Sequence, residues 1–184
     1  DWDRRIILIM LPGAVIGIVA GYLLAAKVSA AAILGVLGVI SILFAAQRLW
    51  QTRGKAITAP AKSSALSGVL FGVASGFTSQ VAHAGGPPFQ MWVLPKKLSP
   101  ASLVGTTAIF FAAVNWIKVP AYVALGQFTK ENLATSAALF PAAIASTFAG
   151  VWLVKRVQAE RFYTLIYVLM ILVGVQLIWE AVAS

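Results

Sequence analysis

The chain has 184 residues, of which 60% are hydrophobic and only 10% charged, with a mean hydropathy of +0.91. Soluble domains carry about a quarter charged residues, so this composition excludes an ordinary soluble domain and points to a membrane protein. Lys and Arg number 14 against 5 Asp and Glu, but they fall between apolar runs, so membrane topology and anionic headgroups account for them and nucleic acid is not an expected partner.

Asp1-Trp2-Asp3-Arg4-Arg5 reads as a charged, aromatic lead at a membrane interface. The first residue is Asp and no signal-peptide pattern precedes the first apolar run, so the expectation is a piece of a longer chain. Ile6–Ala26 is apolar and long enough to span at about 1.5 Å per residue. Its Gly13, Gly17 and Gly21 make a small-residue stripe suited to close helix packing. Lys27 marks a tight turn, and Val28–Leu49 returns as a second span. Gln47–Lys62 follows as a polar, basic loop.

Gly72–Lys97, GVASGFTSQVAHAGGPPFQMWVLPKK, is apolar yet interrupted by Gly76, Gly85-Gly86 and Pro87-Pro88. Backbone that cannot be helical at membrane depth must be buried in protein or line a cavity. The pattern predicts a helix at Ser64–Ala74, an irregular tip at Ser75–Pro88 and a short helix at Phe89–Leu94. Eleven residues reach about 16 Å, half the hydrocarbon thickness, where a hairpin would turn back. Ser99-Pro100 then supplies an N-cap and a first-turn proline for the span Ala101–Leu125. The remaining spans are Leu133–Val154 and Phe162–Trp179, joined by a basic loop.

Two arguments favour the hairpin over a full crossing. A crossing divides the loop Lys and Arg residues 7 to 6 between the two sides, whereas a hairpin divides them 11 to 2, with only Lys27 and Lys130 outside. The positive-inside rule selects the second arrangement. An internal repeat also appears at an offset of 129: residues 12–50 lie over 141–179 without a gap, with 12 identities in 39 positions. Pro12 meets Pro141, Gln47 meets Gln176 and Trp50 meets Trp179. With a hairpin between them the two copies enter the membrane from opposite sides, the inverted symmetry of many secondary carriers. The expected organisation is the last two helices of a first repeat at 1–50, a cytoplasmic basic loop at 51–63, and a second repeat at 64–184. The fold class is therefore all-α integral membrane, an inverted-repeat transporter with five full spans and one re-entrant hairpin. The first copy of the hairpin would precede Asp1.

Polar groups within spans are functional candidates, because each costs free energy unless satisfied. At the tip, Gly85, Gly86 and Pro87 begin a helix whose backbone N–H groups can receive an anion. Ser79, Gln80 and His83 are side-chain donors beside it; capping the broken helix is their structural alternative. Thr106, Thr107, Asn115 and Lys118 lie on the next span, and Thr107, Asn115 and Lys118 fall within about 80° of one another on a helix. Lys118 is the one full charge well inside a span; it either meets an anion or snorkels to the outer headgroups. An intramembrane serine hydrolase would need Ser75 or Ser79 beside His83, but no acidic residue lies within a span to orient a base or bind a metal. Absence of cysteine excludes thiol catalysis, and absence of a Walker loop excludes direct use of ATP. No cofactor or metal is expected.

The segment SGFTSQVAHAGGPPFQMWVLPKKLSPASLVGTTAIFFAAVNWIKVPAYVALGQFTKENL resembles the second signature region of the TauE/SafE-type sulfite exporters of the TSUP superfamily. The matching elements are Gly72 and Gly76, Gly85-Gly86-Pro87, Pro95 and Gly105-Thr106, followed by Asn115-x-x-Lys118, Tyr122 and Leu125-Gly126. The resemblance implies a bacterial inner-membrane carrier for small, mostly sulfur-containing anions such as sulfite or sulfonates, built from two inverted repeats. The expected partners are that anion, membrane lipid and further copies of the chain. A channel for small anions and a non-transporting membrane scaffold are the alternative readings.

Overall fold

The computed structural model describes residues 1–24, 26–52, 64–126 and 128–183. Seven α-helices account for most of them: α1 (Arg4–Leu24), α2 (Ala30–Thr52), α3 (Ala65–Ala82), α4 (Gly86–Val93), α5 (Pro100–Ala124), α6 (Lys130–Val154) and α7 (Ala159–Ala183). A single 3-10 turn, Leu94–Lys96, follows α4. Six of the helices, all but α4, are long and apolar enough to cross a membrane. The chain is an all-α integral membrane protein. Of the loop expected at Gln47–Lys62, residues up to Thr52 extend α2, and 53–63, with Arg53, Lys55 and Lys62, lie outside the described residues.

Helix starts follow the local chemistry. Ser64, Ser99 and Thr129 each accept a hydrogen bond from the backbone N–H three residues on, which satisfies one of the donors a helix start leaves open. Pro100 occupies the first turn of α5, where a missing N–H costs nothing.

α1 and α3 run parallel with their backbones in contact. Gly13 and Gly17 press against the backbone of Val69, Val73 and Phe77, while Gly72 and Gly76 meet Met10 and Ala14. A Cβ at Gly13, Gly17, Gly72 or Gly76 would overlap a backbone carbonyl oxygen of the partner helix. The small-residue stripe is thus a helix-packing face, as its spacing predicts. α2 and α7 pack antiparallel, with Gly35 beside Ala181, Gly38 beside Gly174 and Ile178, and Phe44 edge-on to Tyr167 at 6.4 Å.

α4 folds back along α3. Gly85 lies beside Ser75 and Ser79, and seven residues later the Trp92 indole N–H donates to Ser67 Oγ at 3.1 Å. α3 and α4 are therefore a hairpin whose end returns to the level of its start. Its first arm is longer than expected: 18 residues, about 27 Å, with the break confined to His83–Gly85. The glycines at 72 and 76 do not end the helix, because their contact with α1 outweighs a propensity cost of about 1 kcal/mol each.

The main core is one cluster drawn chiefly from α1, α4, α5 and α7. Ile6, Met10 and Ala14 belong to it with Phe89, Trp92, Val93 and Tyr167, and Phe89 stacks on Phe110 with centroids 4.7 Å apart. The Tyr163 hydroxyl donates to the Leu98 carbonyl at 2.8 Å, joining the start of α7 to the start of α5. Arg5, Arg48, Lys96 and Lys97 gather at this same end, with Asp3 beside Lys96. Lys27 and Lys130 lie at the other. That is the distribution in which basic residues concentrate on one membrane side. α6 has no buried residue, and its apolar surface is left to lipid within this chain.

Replacing Gly76 with Val should destabilise the fold by at least about 1–3 kcal/mol, because a side chain there must push α1 from α3. Gly86→Ala is the control, since nothing lies within 4 Å of its added Cβ. Thermal unfolding in detergent reads both; equal stability of Gly76→Val and wild type would contradict the backbone contact.

Candidate functional site

The break after Ala82 exposes the carboxyl end of α3 and the amino end of α4 to each other. His83 caps α3 in the left-handed region at φ 54°, unusual for a residue with a side chain. The N–H groups of His83 and Ala84 both reach the Thr78 carbonyl. Thr78 Oγ1 lies 2.8 Å from the Ala74 carbonyl and 3.0 Å from the Ala84 carbonyl. Ser75 Oγ donates to the Gly85 carbonyl at 2.7 Å and is wholly buried. These hydroxyls tie the tip to α3 and satisfy its backbone carbonyls. At the start of α4, Pro87 and Pro88 have no N–H, so of the first three residues only Gly86 can donate.

Lys118 of α5 closes the site. It is 3% exposed, and its Nζ donates to the Ser79 carbonyl at 2.9 Å and to Ser79 Oγ at 3.1 Å. A lysine at a helix carboxyl end satisfies an open carbonyl and offsets the negative end of the dipole. Lys118 is therefore turned inward to the hairpin, not outward to the headgroups. Its Nζ also stands 5.2 Å from the Tyr122 ring centroid. One helical turn on from Lys118, the Tyr122 hydroxyl meets His83 Nε2 at 3.1 Å. Lys118, Tyr122 and His83 thus form a connected polar row.

Two cavities lie near the tip. One, of about 280 Å³, is lined by Tyr22, Gln80, His83, Tyr122 and the apolar turn residues around them, near the α1–α2 and α5–α6 turns. Gln80 is 7% exposed and its Oε1 has no hydrogen-bond partner among the described residues. The other, of about 250 Å³, lies between α4 and α7 and is lined by Gly86, Pro87, Gln90 and apolar side chains of α7. Each has room for a small ion with some of its water but not for a drug-sized ligand.

The expected site residues therefore divide. Ser79, Gln80, His83, Gly85, Gly86, Pro87 and Lys118 surround the tip. Thr106, Thr107 and Asn115 do not join them. Thr106 is buried near the start of α5, where its Oγ1 accepts from the Asp3 N–H at 2.8 Å. Thr107 Oγ1 donates within α5 to the Leu103 carbonyl at 2.7 Å, and Asn115 is exposed. Helical phase alone put Asn115 near Lys118, but the long flexible lysine stem reaches inward from a position the shorter amide cannot.

Sequence reasoning underrated Tyr122 and Ser75. Tyr122 follows Lys118 by four residues on a helix, a spacing that predicts neighbouring side chains. Ser75 lies ten residues before Gly85, with no local signal that the two would meet. Among the described residues no hydrogen bond joins a serine to His83, and no group of three His, Cys, Asp or Glu could hold a metal ion.

The family model described as "Sulfite exporter TauE/SafE" matches residues 1–177, nearly the whole chain. Comparison with curated proteins and with solved structures found no match. Six long apolar helices, a broken hairpin with a buried lysine at its tip, and a family match over this length agree. The chain belongs to the TauE/SafE sulfite exporter family and is a multi-pass membrane protein of an anion-transporter type.

Proposed function

We propose that this protein is a secondary carrier for small sulfur-containing oxyanions, sulfite or sulfonates, in the bacterial inner membrane, and that the anion binds at the α3–α4 tip. The observation that carries this reading is the buried Lys118 amine, bonded to Ser79 and next to Tyr122, which lines a cavity together with Gln80 and His83. A sulfite or sulfonate presents acceptor oxygens around a compact centre. The matching protein groups are donors: the Lys118 amine, Ser79 Oγ, the His83 imidazole and the Gly86 N–H. A positive centre without a facing carboxylate favours an anion over a neutral solute. The family match supports the transport class, while the donor set supports the substrate class.

Alternating access has a physical form here. In it, His83 and Tyr122 line the Gln80 cavity and Gly86 lines the other, and an anion that reaches Lys118 from either one displaces its amine from the Ser79 carbonyl. A single site reached in turn from two sides is the carrier scheme.

Full-length protein in proteoliposomes should take up labelled sulfite with saturation and counterflow. Lys118→Ala should lower flux about 10- to 100-fold, the size expected for losing a charge-assisted hydrogen bond of about 1.5–3 kcal/mol. Melting of the variant in detergent separates lost transport from lost folding. Non-saturating flux would make the protein a channel, and unaltered flux in a folded Lys118→Ala variant would remove Lys118 from the site. A carboxylate of similar size should compete poorly with sulfite; blockade by the carboxylate but not by unlabelled sulfite would move the substrate class.

A further inference from the structure

A second cluster of cations lies at the basic end, away from the hairpin tip. Lys97 ends the 3-10 turn in the left-handed region, φ 53° and ψ 45°, with its N–H on the Leu94 carbonyl. For a residue with a long side chain this backbone is unusual. It holds Nζ above the Tyr163 ring at 4.7 Å and the Tyr167 ring at 5.6 Å. From α2, the Arg48 guanidinium lies over Phe44 at 5.2 Å, and Phe44 meets Tyr167 edge-on.

Two features of the cluster call for an anion. Lys97 has a second cation, Arg48, as its charged neighbour; burial and that charge push its amine below the usual lysine range. Asp3 sits with Lys96 instead. In addition, Tyr167 is 1% exposed and its hydroxyl has no hydrogen-bond partner among the described residues, whereas the neighbouring Tyr163 hydroxyl is bonded to Leu98. A buried hydroxyl left without a partner costs about 1–3 kcal/mol. An acceptor-rich anion between the two cations would relieve their repulsion and accept a hydrogen bond from the hydroxyl.

We infer that Arg48, Lys97 and Tyr167 form a binding site for the phosphate headgroup of an anionic phospholipid, between α2, α7 and the 3-10 turn. The end where basic residues concentrate is the one that faces anionic headgroups. This site does not depend on the transport reading, because Arg48, Lys97 and Tyr167 line neither cavity at the hairpin tip.

The test titrates the full chain in neutral detergent with phosphatidylglycerol, phosphatidylcholine or inorganic phosphate, reading bound adducts by native mass spectrometry and Tm in parallel. Phosphatidylglycerol should bind and raise Tm by about 2–4 °C, and phosphatidylcholine should do neither. Lys97→Gln and Tyr167→Phe should each weaken phosphatidylglycerol binding about tenfold; Tyr167→Phe removes only the hydroxyl, so it serves if Lys97→Gln fails to fold. Equal effects of the two lipids, or wild-type affinity in a folded Tyr167→Phe variant, would overturn the site. A Tm shift from inorganic phosphate matching that from the lipid would overturn the lipid assignment.

Discussion

A helix end packed into protein leaves carbonyl groups at one end and N–H groups at the next start without partners of their own. The structure is arranged around that constraint at His83–Gly85. Thr78, Ser75 and a left-handed His83 close the turn from within the hairpin. Lys118 closes it from outside, by donating to the Ser79 carbonyl. The same contact that caps α3 places a positive charge at the tip. Under the proposed function, the structural and functional roles of Lys118 are one arrangement: an arriving anion would meet an amine already desolvated and oriented. Preorganised charge of this kind attracts an anion more strongly than a solvated surface lysine does.

The glycines set how deep the tip can lie. Direct backbone contact of α1 with α3 lets an 18-residue arm remain helical through Gly72 and Gly76. The arm then carries Ser79 and Gln80 about 20 Å or more from its start at 1.5 Å per residue, level with Lys118 on α5. The return through α4 is short, held by Trp92 on Ser67 and by Phe89 against Phe110. A rigid hairpin thus sits against a rigid α1, and the cavities open on its flanks. α6 lies outside this packing.

Hydropathy revealed the long helices, and the fold-back of the chain was legible from the distribution of Lys and Arg. Both signals are averages over many residues, which is why they survive ignorance of tertiary contacts. The length of the first hairpin arm was not legible, because glycine reads as a break unless a partner backbone is known to press on it. Gly72 and Gly76 have that partner in Met10 and Ala14. The tip cluster of Ser79, Gln80, His83 and Lys118 was legible as polar chemistry in an apolar setting. Its opposing wall was not: Thr106 serves the Asp3 N–H and Asn115 faces outward, outcomes decided by contacts some hundred residues apart in one case and by side-chain reach in the other. Tyr122 carried a readable signal in its four-residue spacing from Lys118.

The central claim is that an oxyanion binds at the α3–α4 tip against Lys118. Selenite shares the charge and pyramidal shape of sulfite and scatters X-rays anomalously. A structure of the full-length protein grown with selenite should show an anomalous peak within hydrogen-bonding distance of Lys118 Nζ and close to Ser79 Oγ or the Gly86 N–H. A selenite peak elsewhere, with the Lys118–Ser79 hydrogen bonds undisturbed, would contradict the account and leave the lysine as a helix cap alone.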